Sequence, residues 1–189
     1  MTTYKDHDFE GPTGLSEWDY YTTNAQLSTA QKHSGLQSFL SSDTGTTACY
    51  VRDNVTYDEV YVNFWVRFSD LSWATNGKSA LLSEIRHSLG MLAGVGVTGV
   101  GSYKRWTIWW RNGATEMNDY YPYDVVSTNT WYNVELYFKR NVIVKFWING
   151  TIYMSKPITS TYSVTPTQWR LGYEPWSGGN PNKIGRAHV

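Results

Sequence analysis

The chain has 189 residues, the length of one ordinary domain, and its 16 Lys and Arg residues balance its 16 Asp and Glu residues. Because the balanced charge gives no net field that would attract a polyanion, nucleic acid is not an expected partner. Charged residues make up 17% of the sequence and aromatic residues 16%, which excludes disordered and coiled-coil proteins and predicts one packed core. The sequence shows neither a signal-peptide pattern nor an apolar run long enough to span a bilayer.

Apolar and polar residues alternate along most of the chain, and no segment carries a sustained helical stripe. Asn-Gly pairs at 112–113 and 149–150 predict tight turns, and the Ser/Thr-rich residues 159–167 predict a loop. The predicted strands in chain order are 37–41, 48–52, 60–68, 81–86, 106–111, 132–139, 142–149 and 168–172. Many short strands separated by turn residues predict an all-β fold, a two-sheet antiparallel β-sandwich or jelly roll.

Few side chains are suited to metal binding. A single cysteine, Cys49, excludes an internal disulfide and is interpreted as a small buried hydrophobe. Because the histidines are scattered and there is one cysteine, no zinc site is predicted. Asp8 and Glu10 could supply oxygen ligands to a structural calcium ion, although solvated acids beside the first strand are the simpler interpretation. No other cofactor is predicted.

Several segments carry a family resemblance. They are residues 8–11 (DFEG), 62–68 (VNFWVRF), 130–136 (TWYNVEL), 146–150 (FWING) and 171–173 (LGY). Together they resemble laminin-G-like domains of the concanavalin-A-like lectin/glucanase superfamily, over nearly the whole chain. The resemblance implies a jelly roll, and it implies a final strand that returns beside the first one. No segment of this sequence matches that final strand, so we expect the sandwich to lack it.

The last six residues, 184–189, read as a translated DNA-sequencing adapter. They back-translate as ATC GGA AGA GCA CAC GTC, the adapter's preceding AG is compatible with a Lys183 codon, and the next adapter codon is a stop. We therefore expect residues 1–183 to form one C-terminally truncated domain and the tail to be non-native. A sandwich without its last strand would leave an unpaired edge, which predicts marginal stability or aggregation.

Aromatic and cationic side chains on the less apolar side of three strands are the first candidate ligand-binding residues: Trp65, Arg67, Trp109, Arg111 and Trp147. Indole rings stack on the C–H faces of sugars, and polar neighbours bind sugar hydroxyls. Tyr121 and Trp176, in segments interpreted as Gly/Pro-containing loops, are further candidates. The alternative is that these rings pack under loops or against another subunit.

An enzymatic alternative depends on three residues, Glu84, Arg86 and Tyr137. Residues 83–86 (SEIR) partly resemble a strand of jelly-roll alginate lyases, in which the arginine neutralises a uronate carboxylate. Tyr137 resembles part of the later tyrosine strand of those enzymes. The intervening Gln-x-His strand is absent, as is the Glu-x-Asp-x-x-Glu pattern of the superfamily's glucanases.

These observations favour a non-catalytic module that binds polysaccharide or another glycan, or mediates adhesion, in a secreted or virion-associated protein. Two alternatives remain open. One is a polysaccharide lyase or glycoside hydrolase of the same fold, and the other is a self-associating coat or fibre subunit. Fold resemblance alone does not decide between them.

Overall fold

The computed structural model describes residues 9, 14–30, 38–41, 48–72, 74, 77–88, 90–176 and 187–188. These residues form fourteen β-strands, numbered here in chain order, and no helix. Within this described part, no helix exists that is long and apolar enough to cross a membrane. The strands are arranged in two antiparallel sheets.

Sheet A contains seven strands. In spatial order they are β1 (Tyr20–Tyr21), β4 (Cys49–Asn54), β13 (Gln168–Trp176), β6 (Ser79–His87), β7 (Gly90–Val100), β8 (Tyr103–Asn112) and β9 (Thr115–Val125). Sheet B also contains seven. In spatial order they are β12 (Thr151–Pro157), β11 (Ile143–Ile148), β10 (Trp131–Lys139), β5 (Glu59–Arg67), β14 (Ala187–His188), β3 (Ser38–Ser41) and β2 (Ala25–Ser28). The predicted two-sheet antiparallel β-sandwich is confirmed.

The core lies between the two sheets and is formed by the apolar half of each alternating strand. On sheet B, β5 and β10 bury the side chains Val60, Val62, Phe64, Val66, Val134, Leu136 and Phe138. Trp106 of β8, on sheet A, is 1% exposed, and its ring centroid lies 6.0 Å from that of Phe146 on sheet B. Each fully buried aliphatic or aromatic side chain stabilises the fold by about 1.5–3 kcal/mol, so this shared core holds the sheets together.

All eight predicted strands are confirmed, with boundaries that differ by a few residues. Asn149 and Gly150 have φ angles of 50° and 75°, which is the left-handed conformation that a tight hairpin turn between β11 and β12 requires. Residues 159–167 contain no strand, as expected of a loop. Cys49 is buried, as predicted.

The sequence did not predict β7, and it assigned the Tyr121 segment wrongly to a loop. Residues 90–100 lack alternation because nearly every side chain of β7 is buried, on both faces of the sheet. Tyr121 lies in β9, whose position at the end of sheet A tolerates Pro122 because an edge strand has one unpaired side.

Strand β14 is short and lies between β3 and β5. Ala187 pairs with Phe39 and with Val66, and His188 pairs with Trp65. On its other side β5 pairs with β10 through nine residues, from Glu59 to Arg67. The tail residues therefore occupy a position in sheet B where a longer strand would have room to pair.

Candidate functional site

The outward face of sheet B carries three partly exposed tryptophans on three adjacent strands. Trp65 lies on β5, Trp131 on β10 and Trp147 on β11. Asn133 is at the centre of the group, because it pairs with Trp65 while its neighbour Glu135 pairs with Trp147. Trp131 precedes Asn133 by two residues and so lies on the same face. Alternate residues of each strand are buried in the core, so the three indoles lie together on the outward face.

Polar groups lie between these rings. The side-chain amide of Asn133 donates a 2.6 Å hydrogen bond to the Oδ1 atom of Asn63, and the hydroxyl of Tyr61 donates a 2.5 Å hydrogen bond to Glu135. Among the described residues, the Oδ1 atom of Asn133 and the Nδ2 group of Asn63 have no hydrogen-bond partner. An amide has two donors and one acceptor, so both side chains retain groups that can bind hydroxyls.

One end of this face is charged. The hydroxyl of Tyr137 donates a 2.8 Å hydrogen bond to Glu59, and Lys139 forms a 3.0 Å ion pair with the same carboxylate. The hydrogen bonds from Tyr137 and Lys139 lower the pKa of Glu59 below its usual 4.5. Burial and the Glu59 hydrogen bond raise the pKa of Tyr137 above 10.0. Tyr137 therefore stays protonated at neutral pH and is poorly suited to act as a base.

The dimensions of the face suit an extended ligand. Trp65 and Trp147 are separated by one intervening strand and offset by two residues, which puts their Cα atoms about 12 Å apart from standard strand geometry. That distance exceeds one sugar ring. Flat apolar rings with amide and carboxylate groups between them can stack on ring C–H groups and bind hydroxyls at the same time.

The structure brings together three of the predicted ligand-binding residues and separates the others. Trp65, Arg67 and Trp147 share the outward face of sheet B, where Arg67 donates a 2.8 Å hydrogen bond to Asn129. Trp109 and Arg111 lie on β8, in sheet A. Trp109 and Arg111 therefore do not share a face with Trp65 and Trp147, because similar alternation occurs in strands of both sheets.

Trp109 and Arg111 are both held by contacts within the domain. Trp109 is 3% exposed and packs with Leu81 and Met91 in a small apolar cluster on the outer side of sheet A. Arg111 donates hydrogen bonds to the carbonyl oxygens of Met91 and Ala114, at 3.0 and 2.9 Å. These contacts show that both side chains pack within the domain.

Two other predicted aromatic residues are not part of this face. The ring of Tyr121 lies 4.3 Å from that of Tyr153, centroid to centroid, so Tyr121 packs across the edge of the sandwich between β9 and β12. The side chain of Trp176 lies outside the described residues.

Asp8 and Glu10 also lie outside the described residues, so the calcium hypothesis remains a prediction. Within the described part of the chain, no group of three or more His, Cys, Asp or Glu side chains could hold a metal ion.

The three residues of the lyase alternative do not form one site. Glu84 and Arg86 are together on the outer side of β6, joined by an ion pair of 2.9 Å. Tyr137 faces outward from sheet B, on the opposite side of the sandwich, because its neighbours Leu136 and Phe138 are buried in the core. As a correction, Tyr137 cannot reach a sugar held by Arg86.

Sequence reasoning missed Trp131, Asn133 and Glu135 as candidate site residues. A signal was available, since these residues alternate with the apolar residues of a predicted strand, as Trp65 and Trp147 do in theirs. What sequence could not provide was the pairing of β10 with both β5 and β11, which puts Asn133 between the indoles.

No protein-family model matches the sequence, and a search of curated proteins finds no relative. Several solved structures, in contrast, are similar to the fold of this chain. The binding domain of Paraclostridial mosquitocidal protein 1 matches with a TM-score of 0.65 and 12% identity, over 93% of this chain and 44% of that one. The endo-β-1,4-glucuronan lyase of the fungus Trichoderma reesei matches with a TM-score of 0.59 and 14% identity, over 91% of each chain.

A structure of botulinum neurotoxin type C, described by its interaction with two ganglioside molecules, matches with a TM-score of 0.61 and 11% identity. The match covers 89% of this chain and 42% of the toxin chain, so this chain spans less than half the length of the two toxin chains. At these identities the similarity defines the fold, a lectin-like β-sandwich of the jelly-roll type.

Proposed function

We propose that this domain binds carbohydrate, without cleaving it, on the outward face of sheet B. The observation that carries the proposal is the group of three partly exposed indoles around Asn133. Partly exposed tryptophans on three neighbouring strands leave apolar surface at a place where a monomeric domain would otherwise present polar side chains. The intervening amide and carboxylate groups add directional hydrogen bonds, which neutral sugars need for specific recognition.

The similar structures support a carbohydrate ligand without identifying it. One is described with gangliosides and another is a lyase of β-1,4-glucuronan. We infer further that the domain belongs to the laminin-G-like group of the superfamily, works in a secreted or virion-associated protein and does not bind nucleic acid. The jelly-roll fold supports the first of these inferences, and the balanced net charge supports the last.

The two alternatives make different demands on the same surfaces. A lyase needs a carboxylate neutraliser, a base and an acid around one sugar, and Tyr137 lies too far from Arg86 to supply the second and third. A coat or fibre subunit would bury the indoles against another copy of the chain. Sedimentation showing a monomer at all concentrations would exclude that second alternative.

A glycan-array screen of the folded domain tests the proposal, with uronate polymers included and the absorbance of unsaturated sugar ends recorded. For the best ligand, we expect Trp147→Ala and Trp65→Ala each to weaken binding by about tenfold to a hundredfold, because central aromatic contacts typically contribute more than 1 kcal/mol. Both side chains are partly exposed, so the fold should tolerate their removal.

Tyr103→Ala is the matched control, since Tyr103 is an aromatic residue that is 52% exposed on sheet A. Binding by this variant should equal that of the unmodified domain. Equal losses in all three variants, or no loss in either tryptophan variant, would place the ligand elsewhere. A rise in absorbance would show cleavage and would replace this proposal with the lyase alternative.

A further inference from the structure

Strand β11 carries a lysine beside one of the indoles of the sheet B face. The neighbours of Lys145 along the strand, Val144 and Phe146, are buried in the core, so Lys145 points outward. Trp147 follows Lys145 by two residues and lies on the same face. Residues two apart in a strand have Cα atoms about 7 Å apart. That spacing suits a sugar whose ring stacks on the indole and whose side group reaches the ammonium.

The ammonium group of Lys145 has no carboxylate partner in the described part of the chain. Its contact there is the ring of Tyr137, whose centroid lies 5.9 Å from the Nζ atom. The Lys145 side chain is partly buried. A partly desolvated charge without a counter-charge is unfavourable, so Lys145 is receptive to an anion from outside the domain.

The two carboxylates on strands β5, β10 and β11 of this face are engaged away from Lys145. Glu135 accepts its 2.5 Å hydrogen bond from Tyr61 on β5, and β5 and β11 lie on opposite sides of β10. Glu59 lies on β5 itself, where Lys139 balances its charge at 3.0 Å. Both acids are therefore held on the β5 side of the face, and Lys145 lies on the β11 side.

The outward residues of these three strands carry a positive balance. Their cations are Arg67, Lys139 and Lys145, and their acids are Glu59 and Glu135. The ion pair of Lys139 with Glu59 cancels one charge of each sign. One acid then remains against two cations. A neutral glycan would leave this excess uncompensated, whereas a glycan with an anionic group would balance it.

A hydroxyl group on the next strand lies beside the lysine. Ser155 of β12 pairs with Lys145 and is exposed. Directly paired residues of antiparallel strands project to the same face, so the hydroxyl and the ammonium are neighbours. Within the described residues, the Ser155 hydroxyl forms no hydrogen bond. It therefore retains a donor for an oxyanion bound by Lys145.

We propose that Lys145 and Ser155 bind the carboxylate or sulfate group of an acidic sugar whose ring stacks on Trp147. This inference rests on the proposed carbohydrate site and names its substrate class, an acidic glycan. Lys145 supplies the charge, Ser155 supplies a directional hydrogen bond, and Trp147 supplies the apolar contact.

Titration calorimetry of the whole chain with matched probes tests this substrate class. Cellotriose and the trimer of β-1,4-linked glucuronate differ only at C6, which bears a hydroxymethyl group in the first and a carboxylate in the second. Cellotriose sulfated at O6 is the probe for sulfate. We expect both charged trimers to bind about tenfold more tightly than cellotriose, because a charge-assisted hydrogen bond is stronger than a neutral one. The preference should weaken as salt is added.

Substitutions of the two anion-binding residues test their roles. Lys145→Gln should bring the affinities for the charged and neutral trimers close to each other, and Lys145→Arg should keep the preference because it keeps the charge. Ser155→Ala should reduce the preference in part. Lys78→Gln is the matched control for the change in net charge, since Lys78 is a partly exposed lysine that precedes β6 in sheet A.

The outcomes separate this inference from the proposed function. Equal affinities for the three trimers, or equal effects of Lys145→Gln and Lys78→Gln, would overturn the assignment of an acidic glycan and leave the carbohydrate site standing. Trp147→Ala should weaken the binding of all three trimers by a similar factor. No effect of Trp147→Ala on any trimer would overturn both the carbohydrate site and this inference.

Discussion

His87 is the residue at which packing and protonation are most directly coupled. Its imidazole is 3% exposed and lies against Tyr162, with the Nε2 atom 3.3 Å from the tyrosine hydroxyl. Burial, followed by the nearby positive charges of Arg111 and Arg86, lowers the pKa of His87 below its usual 6.5. The folded domain therefore resists protonation at this position.

This shift gives stability a defined pH dependence. Below the unfolded-state pKa of 6.5 the unfolded chain binds a proton that folded His87 does not, so the free energy of unfolding should fall as the pH is lowered from 6.5 towards the folded-state pKa. We expect His87→Gln to flatten this part of the profile. Urea denaturation of both proteins across the range measures it, and parallel profiles would contradict the assignment.

At the scale of elements, β7 depends on two glycines that allow β6 to approach closely. A Cβ atom at Gly96 would lie 1.9 Å from the carbonyl oxygen of Ala80, a backbone atom that cannot move aside. A Cβ atom at Gly94 would meet the ends of two flexible side chains, at 2.8 Å from Met91 and 2.9 Å from Leu81. The two positions therefore differ in how well they can accommodate a methyl group.

We expect Gly96→Ala to destabilise the domain by about 1–3 kcal/mol, the usual range for overpacking a close-packed interior. Gly94→Ala should be milder, because side chains can adjust where the backbone cannot. Thermal unfolding of the two variants measures the difference. The account of β7 is wrong if Gly94→Ala proves the more damaging of the two.

The alternation of strands with one buried face could be predicted from sequence, whereas the fully apolar strand β7 could not. β5 and β10 alternate because one face meets the core and the other meets solvent. β7 is apolar on both faces, so its period of two is lost. β9 contains Pro122, which indicates a loop unless the strand is known to lie at an edge.

At the scale of the whole molecule, strand order decides which residues can act together. Trp65, Trp109 and Trp147 have similar sequence surroundings, yet β5 and β11 belong to one sheet and β8 to the other. Arg86 and Tyr137 likewise lie on strands of different sheets, β6 and β10. Strand pairing joins residues far apart in the chain, such as Asn63 and Asn133. The local alternation of apolar and polar residues does not predict which strands pair.

We expect residues 184–189 to be a translated sequencing adapter, and the pairing of β5 with β14 allows this hypothesis to be tested on the folded domain. We propose that residues 184–189 are non-native and that a native strand pairs between β3 and β5. Deleting 184–189 should then change the unfolding temperature little, because the two described tail residues make only short pairings, with Val66 and Trp65 of β5 and with Phe39 of β3. Adding the natural continuation, recovered by resequencing the source DNA beyond the Asn182 codon, should raise it by roughly 2–4 °C per kcal/mol gained.

Resequencing provides its own check on this hypothesis. The same six codons in independently prepared source DNA would make the tail native. An extended chain that unfolds at the same temperature as the present one would show that the position between β3 and β5 needs no further strand. Either result would leave the sandwich itself unchanged, since its core is formed by the other strands.

The most direct test of carbohydrate binding on sheet B is an NMR titration of the indole N–H signals. The chain has 10 tryptophans, each with one such signal, and assignment by single substitution is practicable. On addition of the glycan selected by the array, we expect the signals of Trp65, Trp131 and Trp147 to move together, while those of buried Trp106 and Trp169 stay in place. Movement confined to tryptophans of sheet A, with the sheet B signals unchanged, would contradict the central claim.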